Sequence, residues 1–227
     1  MLCLAVDASG PAASAALVRD GALLAERVLV REKAHASELA PMTWGVLKDA
    51  LLSVDDVDVV ACVIGPGSFT GVRIGVALAQ GIALAADKPC CAVDALEALA
   101  LPYRNVGVTV CPVLDARAGQ VYGAAFRRGA RQIEDVAEPL EAYADRVRFF
   151  GGPYLIVGDG ARVHGDRLAA FLGEDAGCDD MRVLRASDAA LIALSRRDAW
   201  IHPAALRPLY LRAPQAERER MARDARS

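Results

Sequence analysis

The chain has 227 residues, of which 54% are hydrophobic, 24% charged and only 5% aromatic. A chain of this length buries roughly 70% of the surface it exposes when unfolded, so it folds without disulfides or a structural metal, and a wholly disordered chain is excluded. Lys and Arg number 26 against 29 Asp and Glu, a net charge of −3. Without the basic excess needed to displace counterions from phosphates, autonomous nucleic-acid binding is not expected.

The opening residues MLCLAVDASG carry Asp7 and no basic segment, and no apolar run spans a bilayer unbroken, so a soluble, cytoplasmic protein without membrane contact is expected. Six cysteines occur without C-x-x-C spacing and read as free thiols.

In chain order, residues 2–7 form an apolar strand and 14–19 a second. Asp20-Gly21 is a hairpin signal leading to a third strand over 22–30. A helix follows over 37–52, with Ser37 as N-cap and Leu39, Met42, Val46, Leu47, Ala50 and Leu51 at helical spacing; Pro41 is tolerated in its first turn. Residues 59–64 read as a strand covered on both faces. The segment Gly65-Pro66-Gly67-Ser68-Phe69-Thr70-Gly71 then turns the chain into a second helix over 72–86.

The pattern then repeats. Placing Asp115 on Asp7 aligns, without gaps, Ala116 with Ala8, Arg127 with Arg19 and Gly129 with Gly21, so 108–127 again reads as strand, turn and strand. The run Tyr154-Leu155-Ile156-Val157-Gly158-Asp159-Gly160 echoes the strand and glycine turn that end at Gly65. The expectation is a duplicated, two-lobed α/β protein: a first lobe over 1–102, a second over 103–206, a returning segment over 207–213 and a charged, disordered tail over 214–227.

Glycines between a buried strand and a helix can present backbone N–H groups to an anion, but a tight turn capped by Ser68 or Thr70 is the favoured reading. Neither the P-loop nor the dinucleotide spacing is met, because no Lys follows and the spacing is G-x-G-x-x-x-G. In the following helix the polar residues Arg73, Gln80 and Asp87 recur every seven positions and form one narrow seam. The rest is apolar or small, so the helix is either sunk in a core or covered by another protein. Asp7, Asp115 and Asp159 stand at strand ends, where they either favour the turns or hold magnesium and nucleotide. The three histidines, His35, His164 and His202, form no metal-ligand pair, and no catalytic residues are assigned.

The undecapeptide GPGSFTGVRIG at 65–75, followed by Gln80-Gly81, resembles the signature of the TsaB (YeaZ) family, the dimerization subunits of the bacterial complex that makes threonylcarbamoyladenosine in tRNA. Shorter matches are Asp7 in the opening strand, His35 with Pro41, Leu114-Asp115-Ala116-Arg117 with Val121-Tyr122, Gly158-Asp159-Gly160, and Pro208-Leu209-Tyr210-Leu211-Arg212, over roughly residues 1–213. The resemblance implies a duplicated actin-like, ribonuclease-H-like (ASKHA) fold and a non-catalytic subunit. It also implies a homodimer when alone, a heterodimer with the catalytic paralogue TsaD, association with the ATPase subunit TsaE, and tRNA contact only through the complex. It places the partner surface on the first two helices, here His35, Leu39, Met42, Val46, Arg73, Val76, Ala79, Gln80 and Leu84. No cofactor or metal is required on this reading, although a weak or vestigial ATP/Mg site at Asp7, Asp115, Gly158, Asp159 and Gly160 is compatible with it. The H-x-x-x-H pair of the paralogue is missing, since Leu39 stands four residues after His35. An actin-fold ATP-binding enzyme is the alternative.

Overall fold

The computed structural model describes residues 1–31 and 35–212, with the backbone alone at His35. The first half runs β1 (Leu2–Asp7), β2 (Ala12–Arg19), β3 (Ala22–Val30), α1 (His35–Asp49), β4 (Val59–Gly65), α2 (Phe69–Ala85), β5 (Cys90–Asp94) and α3 (Ala95–Ala100). The second runs β6 (Thr109–Asp115), β7 (Gln120–Arg127), β8 (Ala130–Pro139), α4 (Leu140–Arg148), β9 (Tyr154–Val157), α5 (Asp159–Leu172), β10 (Ala176–Asp179) and α6 (Ala186–Ser195), and a short β11 (Trp200–Ile201) follows.

The two halves share one topology. The first sheet is ordered β11-β5-β4-β1-β2-β3 and the second β10-β9-β6-β7-β8. In each, two antiparallel pairs form the meander and two parallel pairs extend it. The duplicated reading therefore holds down to the turns. Asp20 (φ 49°) and Gly21 (φ 86°) close the first hairpin, and Arg128 (φ 50°) and Gly129 (φ 75°) close its counterpart.

Three cores hold this arrangement. One, shared between the sheets, joins Ala5, Val63 and Val93 to Val110, Leu114 and Phe126 through α3 and α6. A second lies between the outer face of the first sheet and α1 with α2, and a third between the second sheet and α4 with α5. Each sheet is thus covered on both faces, which explains why β1, β4 and β6 are almost continuously apolar.

Local departures from the sequence reading have physical causes. Helix α1 begins at His35, so Ser37 lies inside it and Pro41 one turn further in; the proline forfeits only the bond its N–H would have made. The helix ends at Asp49 and Leu51 adopts φ 55°, which leaves Leu51 exposed instead of packed. Helix α2 begins at Phe69, three residues earlier than expected, because the Ser68 hydroxyl accepts the Gly71 N–H at 3.2 Å. The predicted boundary at 206 also shifts. From Ala186 the chain already packs on the first sheet, with α6 against β1, β2 and β4, β11 paired to β5, and Leu206 fully buried under α2. The predicted tail over 214–227 lies outside the described residues.

Candidate functional site

Gly65 takes φ 113°, Pro66 follows through a cis peptide bond, and Thr70 lies exposed in the first turn of α2. The glycines beyond are explained by a close approach. A Cβ at Gly67 would lie 2.2 Å from the Ser9 carbonyl oxygen, and one at Gly71 only 1.8 Å from that of Ala8. The Ser68 N–H donates to the Ser9 carbonyl at 2.7 Å. The concavity of residues 65–71 is thus filled by the backbone of the β1–β2 turn. In the second lobe Gly158 and Gly160 likewise admit the Val113 carbonyl, which a Cβ would meet at 2.6 and 2.7 Å. The geometry supports the structural-turn reading of both glycine motifs, whose glycines admit the chain's own carbonyls.

Asp7 is fully buried. Its Oδ1 accepts the N–H (2.8 Å) and hydroxyl (2.7 Å) of Ser9, while Oδ2 has no partner among the described residues. Burial outweighs those bonds and pushes its carboxyl up from 3.8 to about 6. Asp159 is also pushed up to about 6, by burial and then by the Asp115 charge, and its Oδ1 is buried without a partner among the described residues. Asp115 accepts the Arg117 N–H at 2.9 Å and faces His164 Nε2 at 3.1 Å. The fold therefore brings Asp115 and Asp159 together and adds His164, which the sequence reading did not place there; Asp7 makes its bonds within the first lobe. Among the described residues no group of three or more His, Cys, Asp or Glu side chains could hold a metal ion.

Helices α1 and α2 divide their residues differently from expectation. Leu39, Met42, Val46, Val76 and Ala79 are buried in the lobe's own core, because they form the apolar stripes that face the sheet. Their assignment to a partner surface is corrected on that ground. Arg73 and Gln80 hold the chain's own C-terminal segment: Arg73 Nε donates to the Tyr210 hydroxyl (2.8 Å), and Gln80 Nε2 to the carbonyls of Pro203 (3.0 Å) and Leu206 (3.1 Å). The His35 side chain lies outside what is described. Leu84 remains, 53% exposed.

What the two helices do expose is an apolar strip. Trp44 of α1 is 51% exposed and stands over a groove of about 400 Å³ whose other wall includes Ala77, Leu78, Gly81 and Ile82 of α2. Trp44 is not among the residues expected at the partner surface, although an indole off the core stripe of α1 is itself a surface signal.

The topology, two lobes of identical strand order enclosing a shared core, defines the actin-like class. Component A of the (R)-2-hydroxyglutaryl-CoA dehydratase of Acidaminococcus fermentans shares the fold, with TM-score 0.53 at 14% identity over 87% of this chain and 99% of that one. A family model described as "TsaD: tRNA N6-adenosine threonylcarbamoyltransferase" matches residues 23–168. The tRNA threonylcarbamoyladenosine biosynthesis protein TsaB of Bacillus subtilis is 32% identical over 96% of both chains, and that of Escherichia coli 36% identical over 78% of this chain and 77% of its own. YeaZ of Pseudomonas aeruginosa superposes with TM-score 0.79 at 30% identity, covering 92% of this chain and 99% of that one. The chain belongs to the TsaB (YeaZ) family.

Proposed function

We propose that the chain is a non-catalytic subunit of the machinery that makes threonylcarbamoyladenosine in tRNA, and that it binds and stabilises a TsaD-type transferase. The observation that carries this reading is the exposed apolar surface of α1 and α2, with Trp44 half exposed over the groove and Leu84 half exposed on α2. Large apolar side chains gathered on one face lose free energy to water and gain it under a partner. The names of the relatives supply the pathway. On this reading the chain pairs with a second copy when alone, exchanges it for the transferase, meets the TsaE ATPase and tRNA only within the complex, works in the cytoplasm and needs no cofactor of its own. Among the described residues no helix is long and apolar enough to cross a membrane.

Reconstituting tRNA modification from the other components with and without this chain tests the reading. Modification that depends on the chain is expected; full modification without it contradicts the proposal. A second reading, an ATP-binding enzyme, draws on the unpartnered Oδ2 of Asp7 and Oδ1 of Asp159. The filled glycine turn opposes it, and saturable Mg·ATP binding with turnover by the isolated chain would reverse the order of the two.

A further inference from the structure

The seam of Arg73 and Gln80 on α2 is occupied by the chain's own residues 203–212. Gln80 holds the Pro203 and Leu206 carbonyls. Beyond the buried Leu206, the Leu209 N–H donates to the Ile64 carbonyl at 2.8 Å, and the Leu209 carbonyl oxygen lies 2.7 Å from the point a Cβ at Gly65 would occupy. The Tyr210 ring then packs 4.9 Å from that of Phe69, and the Arg73 guanidinium sits 3.8 Å from the Phe69 ring centroid while bonding the Tyr210 hydroxyl. Finally Arg212 Nη1 donates to the Ala116 carbonyl at 3.1 Å, in the β6–β7 turn of the second lobe. One short segment therefore grips the flank of α2, the glycine turn and the opposite lobe.

We propose that residues 203–212 form a clasp that seats the first turns of α2 and ties the lobes together, so that the exposed strip of α2 is presented to its partner only while the clasp is closed. Arg73, Ala77, Gln80 and Leu84 lie along one line of the helix, so the clasp borders the strip on one side as Trp44 does on the other. The clasp's outer half is held by a few solvent-facing contacts, with Tyr210 42% exposed, which makes it the part of this joint that opens first. Opening would release Arg73 beside the apolar strip and unseat the glycine turn from which α2 starts. The inference rests on the proposed partner surface.

The test compares the full wild-type chain with the Tyr210→Ala/Arg212→Ala double variant and with Tyr210→Phe, which keeps the ring stack and loses the hydroxyl. Circular dichroism melting checks folding, amide hydrogen exchange reads the clasp, and calorimetric titration reads affinity for the TsaD-type transferase. The double variant is expected to melt cooperatively, to exchange at least tenfold faster at Leu209 and over residues 65–72, and to bind at least tenfold more weakly, with Tyr210→Phe in between. Faster exchange with unchanged affinity would overturn the coupling, and unchanged exchange would overturn the clasp. Should the double variant not fold, Arg212→Ala alone, which touches no core, is judged by the same two readouts. A wild-type chain that does not bind the transferase contradicts the proposed function instead, while the exchange data still decide whether the segment restrains the lobes.

Discussion

Asp7 is a carboxylate that burial makes costly, and Asp7→Asn removes the charge while keeping an oxygen for the two donors of Ser9. The folded-state carboxyl titrates near 6 against an ordinary 3.8, so between those values the folded chain holds a proton that the unfolded chain has lost. Stability contributed by the neutral form is thus present at acid pH and is lost as pH rises towards 6, the opposite of a carboxylate in an ion pair. Integrated at about 1.4 kcal/mol per pH unit, ionised Asp7 costs the fold about 3 kcal/mol at pH 7.5 and about 1 kcal/mol at pH 4.5. An amide oxygen accepts the Ser9 bonds less strongly than a carboxylate, and the amide NH2 takes the buried Oδ2 position without an acceptor, which together offset about 2 kcal/mol of the gain. Urea unfolding is expected to show Asp7→Asn stabilised by about 1 kcal/mol at pH 7.5 and destabilised by about 1 kcal/mol at pH 4.5, with tRNA modification intact. Destabilisation at pH 7.5, or a difference independent of pH, would refute the reasoning and point to a cation or donor satisfying Oδ2 in solution.

Val76→Glu places a charge in the core under α2, where Val76 is 5% exposed, and is expected to cost more than about 3 kcal/mol in urea unfolding of the isolated chain. A Val76→Glu chain as stable as wild type would contradict the division of α2 into core and free faces. Gly71→Ala drives a methyl against the Ala8 carbonyl and is expected to lower the melting temperature by about 6–12 °C, as a cost of about 3 kcal/mol implies. Gly81→Ala meets nothing within 4 Å in the interior of α2 and is expected to stabilise the chain by about 0.5–1 kcal/mol. Reversal of the order of these two variants in the same melting assay would contradict the filled-turn account.

Much of the fold was legible because it repeats. Asp7 and Asp115 end equivalent strands, and the Asp20-Gly21 turn reappears at Arg128-Gly129, so one hairpin signal predicted two. The strap that completes the first lobe was not legible, since Gln80 meets Pro203 across 123 residues and no local pattern announces that contact. The same blindness affected the candidate site. Arg73 and Gln80 were rightly separated from the apolar stripe, but sequence could not say that their partner is the chain's own C-terminal segment. Leu39, Met42, Val46, Val76 and Ala79 were misplaced for a different reason: a helical apolar stripe faces the sheet first, and only residues left off it, such as Trp44 and Leu84, remain for another molecule. His164 was missed because it meets Asp115 across 49 residues. The glycine motif alone favours a turn over an anion site, and the Ala8–Ser9 backbone packed against Gly67 and Gly71 agrees with the turn.

The central claim, that the free strip of α1 and α2 is the partner surface, is tested most directly by Leu84→Glu. Leu84 is half exposed and touches no core cluster, so the variant is expected to melt within about 2–4 °C of wild type. Covering the new carboxylate with a partner would desolvate it, and titration of the variant against the TsaD-type transferase is expected to show affinity reduced by about a hundredfold or more. Wild-type affinity in a folded Leu84→Glu chain would contradict the account.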